Sequence, residues 1–219
     1  MTETYRTDIN IMFTYLRGRL TGAGYEQSRR ALEFAREAHS EQTRKDGRPY
    51  IIHPLSMACD AIACKGITDE IIATILLHDV CEDCNIPLSA LPVNDIVKHG
   101  VKLMTIKPLH GEVKSETKRR YYNELLDSKE AMVTKAFDRY FNLNDMEGVL
   151  SEEAIVKNIK ETHLLLMPAL KEAKIQIPRA VRCTTHHQDV PQKHRHDDGV
   201  LPQNRSNKPA IISFTPPHP

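Results

Sequence analysis

The sequence is short of several things, and each shortage narrows the field. Aromatic residues make up 5% of the chain and glycines number 9, too few for a fold of many short strands and turns. No apolar run approaches the ~20 residues that a membrane-spanning helix needs. The opening MTETYRTDIN is polar and lacks the apolar core of a signal peptide. Excess charge is also missing. The net charge is +1, so no global basicity holds nucleic acid or an anionic membrane. Cys59, Cys64, Cys81, Cys84 and Cys183 are odd in number, which fits reduced thiols rather than a disulfide framework. The expectation is a cytoplasmic protein with no nucleic-acid or membrane partner; the oligomeric state is left open.

What is present is helical periodicity, and the expected fold class is all-α. Ile9, Met12, Phe13, Leu16 and Leu20 recur at spacings of three and four, as do Ala31, Phe34, Ala35 and Ala38 over 25–43. The stretch TRKDGRPYIIHP breaks the pattern: Asp46-Gly47 signals a turn, and Pro49 cannot continue a helix. Pro54 suits the first turn of a helix running to about Lys65, which Gly66 ends. Thr68 is placed to cap the next helix, with Glu70 in its first turn. That helix, DEIIATILLHDVCED, is apolar almost all round and should be the buried central one.

Between 86 and 117, Pro87, Pro92 and Pro108 predict short turns and a loop. Helices resume at about 116–127, 129–147 and 151–173. Residues 1–174 are expected to form one helical domain. Residues 175–219, rich in Pro and His without an apolar period, are expected to form a poorly ordered tail.

The chemistry gathers where the central helix loses its apolar character. His78, Asp79, Glu82 and Asp83 follow the run IIATILL. A charge or lone imidazole buried beside such a run is costly unless a partner or metal compensates. His78 and Glu82 are four apart, as are Asp79 and Asp83, so each pair shares a face of a continuous helix. Alone, these four read better as a helix emerging into solvent. Two more residues change the balance: His53 in YIIHP and Asp138 in VTKAFDRYFNL. Singly, His53 reads as a helix-start residue and Asp138 as an ion-pair partner of Arg139 or Lys135. Jointly, two imidazoles and two carboxylates suit Mn, Fe or Co better than the thiolate-rich structural zinc pattern.

Cys81 and Cys84 form a CxxC, but there is no second CxxC and no thioredoxin-like strand pattern. They read as two small residues of a buried helix. His39 and Gln42 lie just before the broken stretch. His39 either packs the 35–53 loop or touches a ligand.

Four segments occur in order: AREAHSEQTRKDGRPYIIHPLSMA (35–58), ATILLHDVCED (73–83), KLMTIK (102–107) and VTKAFDRYFNL (133–143). Through them residues 31–147 resemble the HD hydrolase domain of the bifunctional Rel/Spo stringent-response enzymes and of stand-alone small alarmone hydrolases. The resemblance implies an HD-domain helical bundle holding one metal, usually Mn2+ or another divalent transition metal. Its ligands would be His53, His78, Asp79 and Asp138. Glu82 and Asp83 would be the water-activating pair. Arg44 and Lys45 would lie beside the guanine base and phosphates, and Asn142 near the nucleotide.

The implied reaction is hydrolysis of the 3′-diphosphate of the guanine nucleotide alarmone ppGpp to GDP and pyrophosphate. No counterpart of the synthetase domain follows Leu150, so hydrolysis without synthesis is expected. Similar short proteins continue with another amphipathic helix where this chain has TTHHQDVPQKHRHDDG. The rival readings are an HD phosphohydrolase acting on NADPH or nucleoside monophosphates, and a non-catalytic nucleotide-sensing module. The intact Glu82 and Asp83 weigh against the second, because a pure binder needs no water-activating pair.

Overall fold

The computed structural model describes residues 3–44, 46–146 and 148–175. Lys45, and the stretch from 176 onward that was expected to form the tail, lie outside the described residues. The fold is all-α, as the periodicity indicates. Helices α1 (Glu3–Ala23), α2 (Glu26–Ala38), α3 (Ile52–Ala61), α4 (Asp69–Leu77) and α5 (Val80–Asp83) carry the first half. Helices α6 (Asp95–Met104), α7 (Lys114–Glu124), α8 (Lys129–Asn144), α9 (Glu152–Glu161) and α10 (Met167–Glu172) follow. Among the described residues the only β-pairing is one isolated bridge, Thr43 to Pro49.

α4 is the central helix. Ile71 through Leu77 are all buried, and the helix packs against α2, α3, α6 and α8. Each fully buried Ile or Leu contributes about 1.5–3 kcal/mol through loss of apolar surface to water, so this helix anchors the core. The Thr68 hydroxyl accepts from the Ile71 N–H, the expected N-cap. Its neighbour Asp69 caps a different helix. The Asp69 carboxylate accepts from the Gln27 N–H at 2.9 Å and the Ser28 N–H at 2.7 Å, so the start of α4 closes the start of α2. At the far end of α2 the thiol of Cys84, just past α5, donates to the Ala38 carbonyl at 3.3 Å, so the chain leaving α4 returns beside that end. α2 and α4 therefore lie side by side and run in the same direction. A second apolar cluster, including Tyr121, Leu125, Met132, Leu166 and Leu170, joins α7, α8 and α10.

Three expectations need correction. The 86–117 region is not only turns, because it contains the ten-residue α6. Pro92 and Pro108 flank this helix rather than interrupt it. Asn94 caps it by accepting from the Val97 N–H at 3.0 Å, and Val97, Val101 and Met104 face the core. Gly100 lets α6 approach α4 closely, since a Cβ there would meet Thr74 Cγ2 at 3.0 Å.

Second, the central helix is not continuous through His78-Asp79. It stops at Leu77, turns, and restarts as α5 at Val80. The His78 ring Nδ1 donates to the Ile75 carbonyl at 2.8 Å, the acceptor that an unbroken helix offers to the N–H of residue 79. Third, the 151–173 helix contains a π turn, Thr162–Leu166. It lies just ahead of Pro168, which has no N–H for the carbonyl four residues back.

Candidate metal centre

Three elements deliver the three residues that meet most closely. His53 is on the first turn of α3, His78 caps the C-terminus of α4, and Asp138 sits midway along α8. All three are nearly inaccessible, at 4%, 2% and 6% exposure. His53 Nε2 lies 3.4 Å from Asp138 Oδ1, and His78 Nε2 lies 3.9 Å from the same oxygen. One donor atom from each of the three falls within 4.8 Å of the others. Asp79 approaches from the turn, its Oδ2 2.8 Å from His78 Nε2.

The donor set fits a divalent cation. His78 donates through Nδ1 to the Ile75 carbonyl, so once the ring is neutral, as a ligand must be, Nε2 is the lone-pair nitrogen. That Nε2 is buried and makes no aligned hydrogen bond, despite its closeness to Asp79. An orphaned buried imidazole nitrogen facing two carboxylates is an arrangement that a bound cation would complete.

The electrostatics point the same way. Burial pushes the His78 pKa down, but Asp79 and Asp138 outweigh it and carry it to about 9. Burial raises Asp79, while the neighbouring His78 draws it down to about 2. Asp138 is held well below the ordinary carboxylate value, against its burial, by Lys135 and the two histidines. Both carboxylates are therefore ionised, and the centre stabilises positive charge.

The other sequence-predicted residues surround this cluster. Arg44 and Asn142 line the same cavity as His53, Asp79 and Asp138, a space of about 470 Å³. Asn142 donates to Asp138 Oδ1 at 2.6 Å. Arg44 forms an ion pair with Asp145 at 3.1 Å. Glu82 lines a separate cleft of about 800 Å³ with Lys102 and Lys107. Partial burial, with Asp79 and Asp83 close by, raises its pKa. Asp83 is exposed and accepts from the Gln42 amide at 3.0 Å. Cys81 and Cys84 are free, partly buried thiols.

Several supporting residues were not singled out from the sequence. The Tyr50 hydroxyl donates to Asp79 Oδ2. Lys135 donates to Asp138 Oδ2 at 2.7 Å, one of the two ion pairs foreseen for Asp138; Arg139 turns instead to Glu161 at 2.8 Å. Asp145 joins Arg44 to Arg48. The Lys135 signal was available, because three residues separate it from Asp138 on one helix. Tyr50 and Asp145 carried no such signal, since their partners are distant in sequence.

An all-helical bundle presenting buried His, His and Asp around a nitrogen that lacks a partner is the frame of a metal-dependent hydrolase. Comparison with known proteins agrees. The model of the HD domain family matches residues 31–154, more than half of the chain. The chain belongs to the HD domain family, a metal-dependent phosphohydrolase fold.

It is 36% identical to the guanosine-3′,5′-bis(diphosphate) 3′-pyrophosphohydrolase of Aquifex aeolicus, over 65% of this chain and 21% of that protein. Identity is 30% to the protein of the same name from Vibrio cholerae, over 68% of this chain and 22% of the relative. It is also 30% to the bifunctional (p)ppGpp synthase/hydrolase SpoT of Escherichia coli, over 73% and 22%. The chain thus spans about a fifth of the length of these relatives. No described helix is long and apolar enough to cross a membrane.

Proposed function

We propose that this chain hydrolyses the 3′-diphosphate of ppGpp to GDP and pyrophosphate, using one divalent transition-metal ion, manganese by preference. The observation that carries the reading is a single cavity of about 470 Å³. Its walls include His53, Asp79 and Asp138 together with Arg44 and Asn142, so a cation site and nucleotide-binding groups share one space. The Aquifex aeolicus and Vibrio cholerae relatives, named for this activity, support the substrate. In this reading residues 1–174 are the hydrolase unit, acting in the cytoplasm.

His53, His78, Asp79 and Asp138 would hold the ion. When bound, it supplies Lewis-acid polarisation of a phosphoryl oxygen and acidifies water. The remaining steps belong to the chain. Arg44 has one hydrogen-bonding arm on Asp145 and further N–H donors to fork onto a phosphate or stack on guanine. Lys45 adds a point charge beside it. Asn142 holds the Asp138 carboxylate in place and contributes an amide to the nucleotide pocket. Water attacks the ribose-proximal phosphorus, and the bond from that phosphorus to the ribose 3′-oxygen breaks. Glu82 with Asp83 takes the water's proton, and the 3′-oxygen leaves as the hydroxyl of GDP on receiving a proton, with pyrophosphate released. A carboxyl whose pKa is raised is the stronger base for that task.

The test is incubation of purified, Mn-loaded protein with ppGpp, NADPH and nucleoside monophosphates. Release of GDP and pyrophosphate from ppGpp supports the reading. Turnover of NADPH or a monophosphate without ppGpp turnover refutes it. So does release of single phosphates, which puts the attack at the terminal phosphorus.

A further inference from the structure

Asp83 is exposed at the end of α5 and would rotate freely if nothing held it. One side chain does. Gln42 Nε2 donates to Asp83 Oδ2 at 3.0 Å, and Gln42 Oε1 lies 2.6 Å from His39 Nδ1. The carboxylate end fixes the direction of the whole chain of bonds. A carboxylate only accepts, so the Gln42 amide must present N–H to Asp83 and its carbonyl to His39. His39 Nδ1 must then carry the proton. Nε2 of the same ring is buried with no partner, so a proton placed there would be unsatisfied at a cost of about 1–3 kcal/mol. Both ends of the relay select the same tautomer.

His39 is itself immobilised. It is 1% exposed, it caps the C-terminus of α2, and its ring lies 4.8 Å from that of Tyr50. The Cys84 sulfur is 3.4 Å from His39 Nδ1, but the thiol is directed to the Ala38 carbonyl at 3.3 Å. Tyr50, stacked on His39, donates to Asp79. One buried ring thus backs two arms, Gln42 to Asp83 and Tyr50 to Asp79.

We infer that His39 and Gln42 are positioning residues: a one-way hydrogen-bond relay, His39 to Gln42 to Asp83, aims the Asp83 carboxylate. The inference rests on the proposed hydrolase reading for its catalytic consequence, but not for the relay itself. Neither residue is among the metal-cluster ligands, although Gln42 lines the cavity shared by His53, Asp79 and Asp138 and His39 backs the Tyr50 that donates to Asp79. Loss of the Gln42 link should therefore fall on turnover more than on metal affinity. Losses of such supporting partners run at about 10–100-fold.

Two measurements test it separately. Long-range proton–nitrogen NMR of the metal-free protein reads the His39 tautomer, its signals identified by their absence in His39→Asn. The Nδ1–H form is expected in the wild type, with conversion toward Nε2–H in Gln42→Leu; an Nε2–H ring in the wild type overturns the relay. For ppGpp hydrolysis, Gln42→Leu should lower kcat by about 10–100-fold, more than it changes KM, with manganese affinity unchanged, and His39→Leu should lower kcat to a similar extent. His39→Asn, whose amide N–H replaces Nδ1–H, should restore most of the rate. His39→Gln, which puts its amide at the Nε2 position, should not. Unchanged kcat in Gln42→Leu, or equal losses in His39→Asn and His39→Leu, or parallel loss of metal affinity in Gln42→Leu, would overturn the positioning role. If the wild type does not hydrolyse ppGpp, the proposed reaction fails while the tautomer measurement still decides the relay.

Discussion

Asn142 donates its amide proton to Asp138 Oδ1 at 2.6 Å, the same oxygen that faces both His53 and His78. Lys135 takes the other oxygen of that carboxylate. Asp138 is thus oriented by two neighbours on its own helix, one three residues before it and one four after. The site is preassembled on a rigid element, which is where precise ligation is best built.

The metal is the first prediction. About one manganese or similar ion per chain is expected, and His53→Ala, His78→Ala, Asp79→Ala and Asp138→Ala should each lose it. Metal analysis after dialysis checks this. Full stoichiometry and affinity in Asp138→Ala would remove that residue from the site.

Glu82 and Arg44 should separate by kinetics. Glu82→Gln keeps the size and removes the base, so turnover of ppGpp should drop ~10²–10⁴-fold with the metal still bound. Arg44→Ala should mainly raise KM, since it removes binding rather than chemistry. The reverse assignment of the two effects would exchange their roles.

The thiols should be dispensable. Cys84 donates to a backbone carbonyl and both cysteines are free. Cys81→Ser with Cys84→Ser should keep hydrolysis within a few-fold of wild type. Abolished activity with metal retained would mean that the CxxC takes part.

Stability should be sensitive at two places away from the site. Asp69→Ala removes both acceptors at the start of α2 and should cost about 1–3 kcal/mol. Gly100→Ala forces a Cβ to 3.0 Å from Thr74 Cγ2 and should cost about 1–3 kcal/mol. Urea unfolding of both variants measures this, and a wild-type midpoint for Gly100→Ala would show that α6 and α4 separate freely.

The central helix was legible because Ile71–Leu77 are apolar without interruption, a pattern that only full burial explains. The cap at Thr68 was legible because capping is local. α6 was missed because its prolines outweighed the spacing of Val97, Val101 and Met104, although they stand outside the helix. The turn at His78-Asp79 was missed for another reason. A side chain bonding its own helix's carbonyl leaves no trace in hydrophobic periodicity. At the site, His53, His78 and Asp138 stood out as polar residues beside apolar runs. Tyr50, Asp145 and the Gln42–Asp83 bond did not, because each depends on a loop folding back on a distant helix.

The course of α4 beside α2 has an electrostatic consequence. α2 begins at the Asp69 carboxylate and ends at His39, whose ring backs Tyr50, while α4 ends at His78 within the metal cluster. A helix C-terminus carries roughly half a negative charge from its unpaired carbonyls. The end of α4 lies where a cation is to sit, adding to Asp79 and Asp138 a field made of backbone alone. No side-chain substitution can remove that field. It also repels a polyphosphate, so the vacant centre should take up its cation before its nucleotide, and in calcium- and transition-metal-free buffer the chain should bind ppGpp poorly even with Arg44 intact.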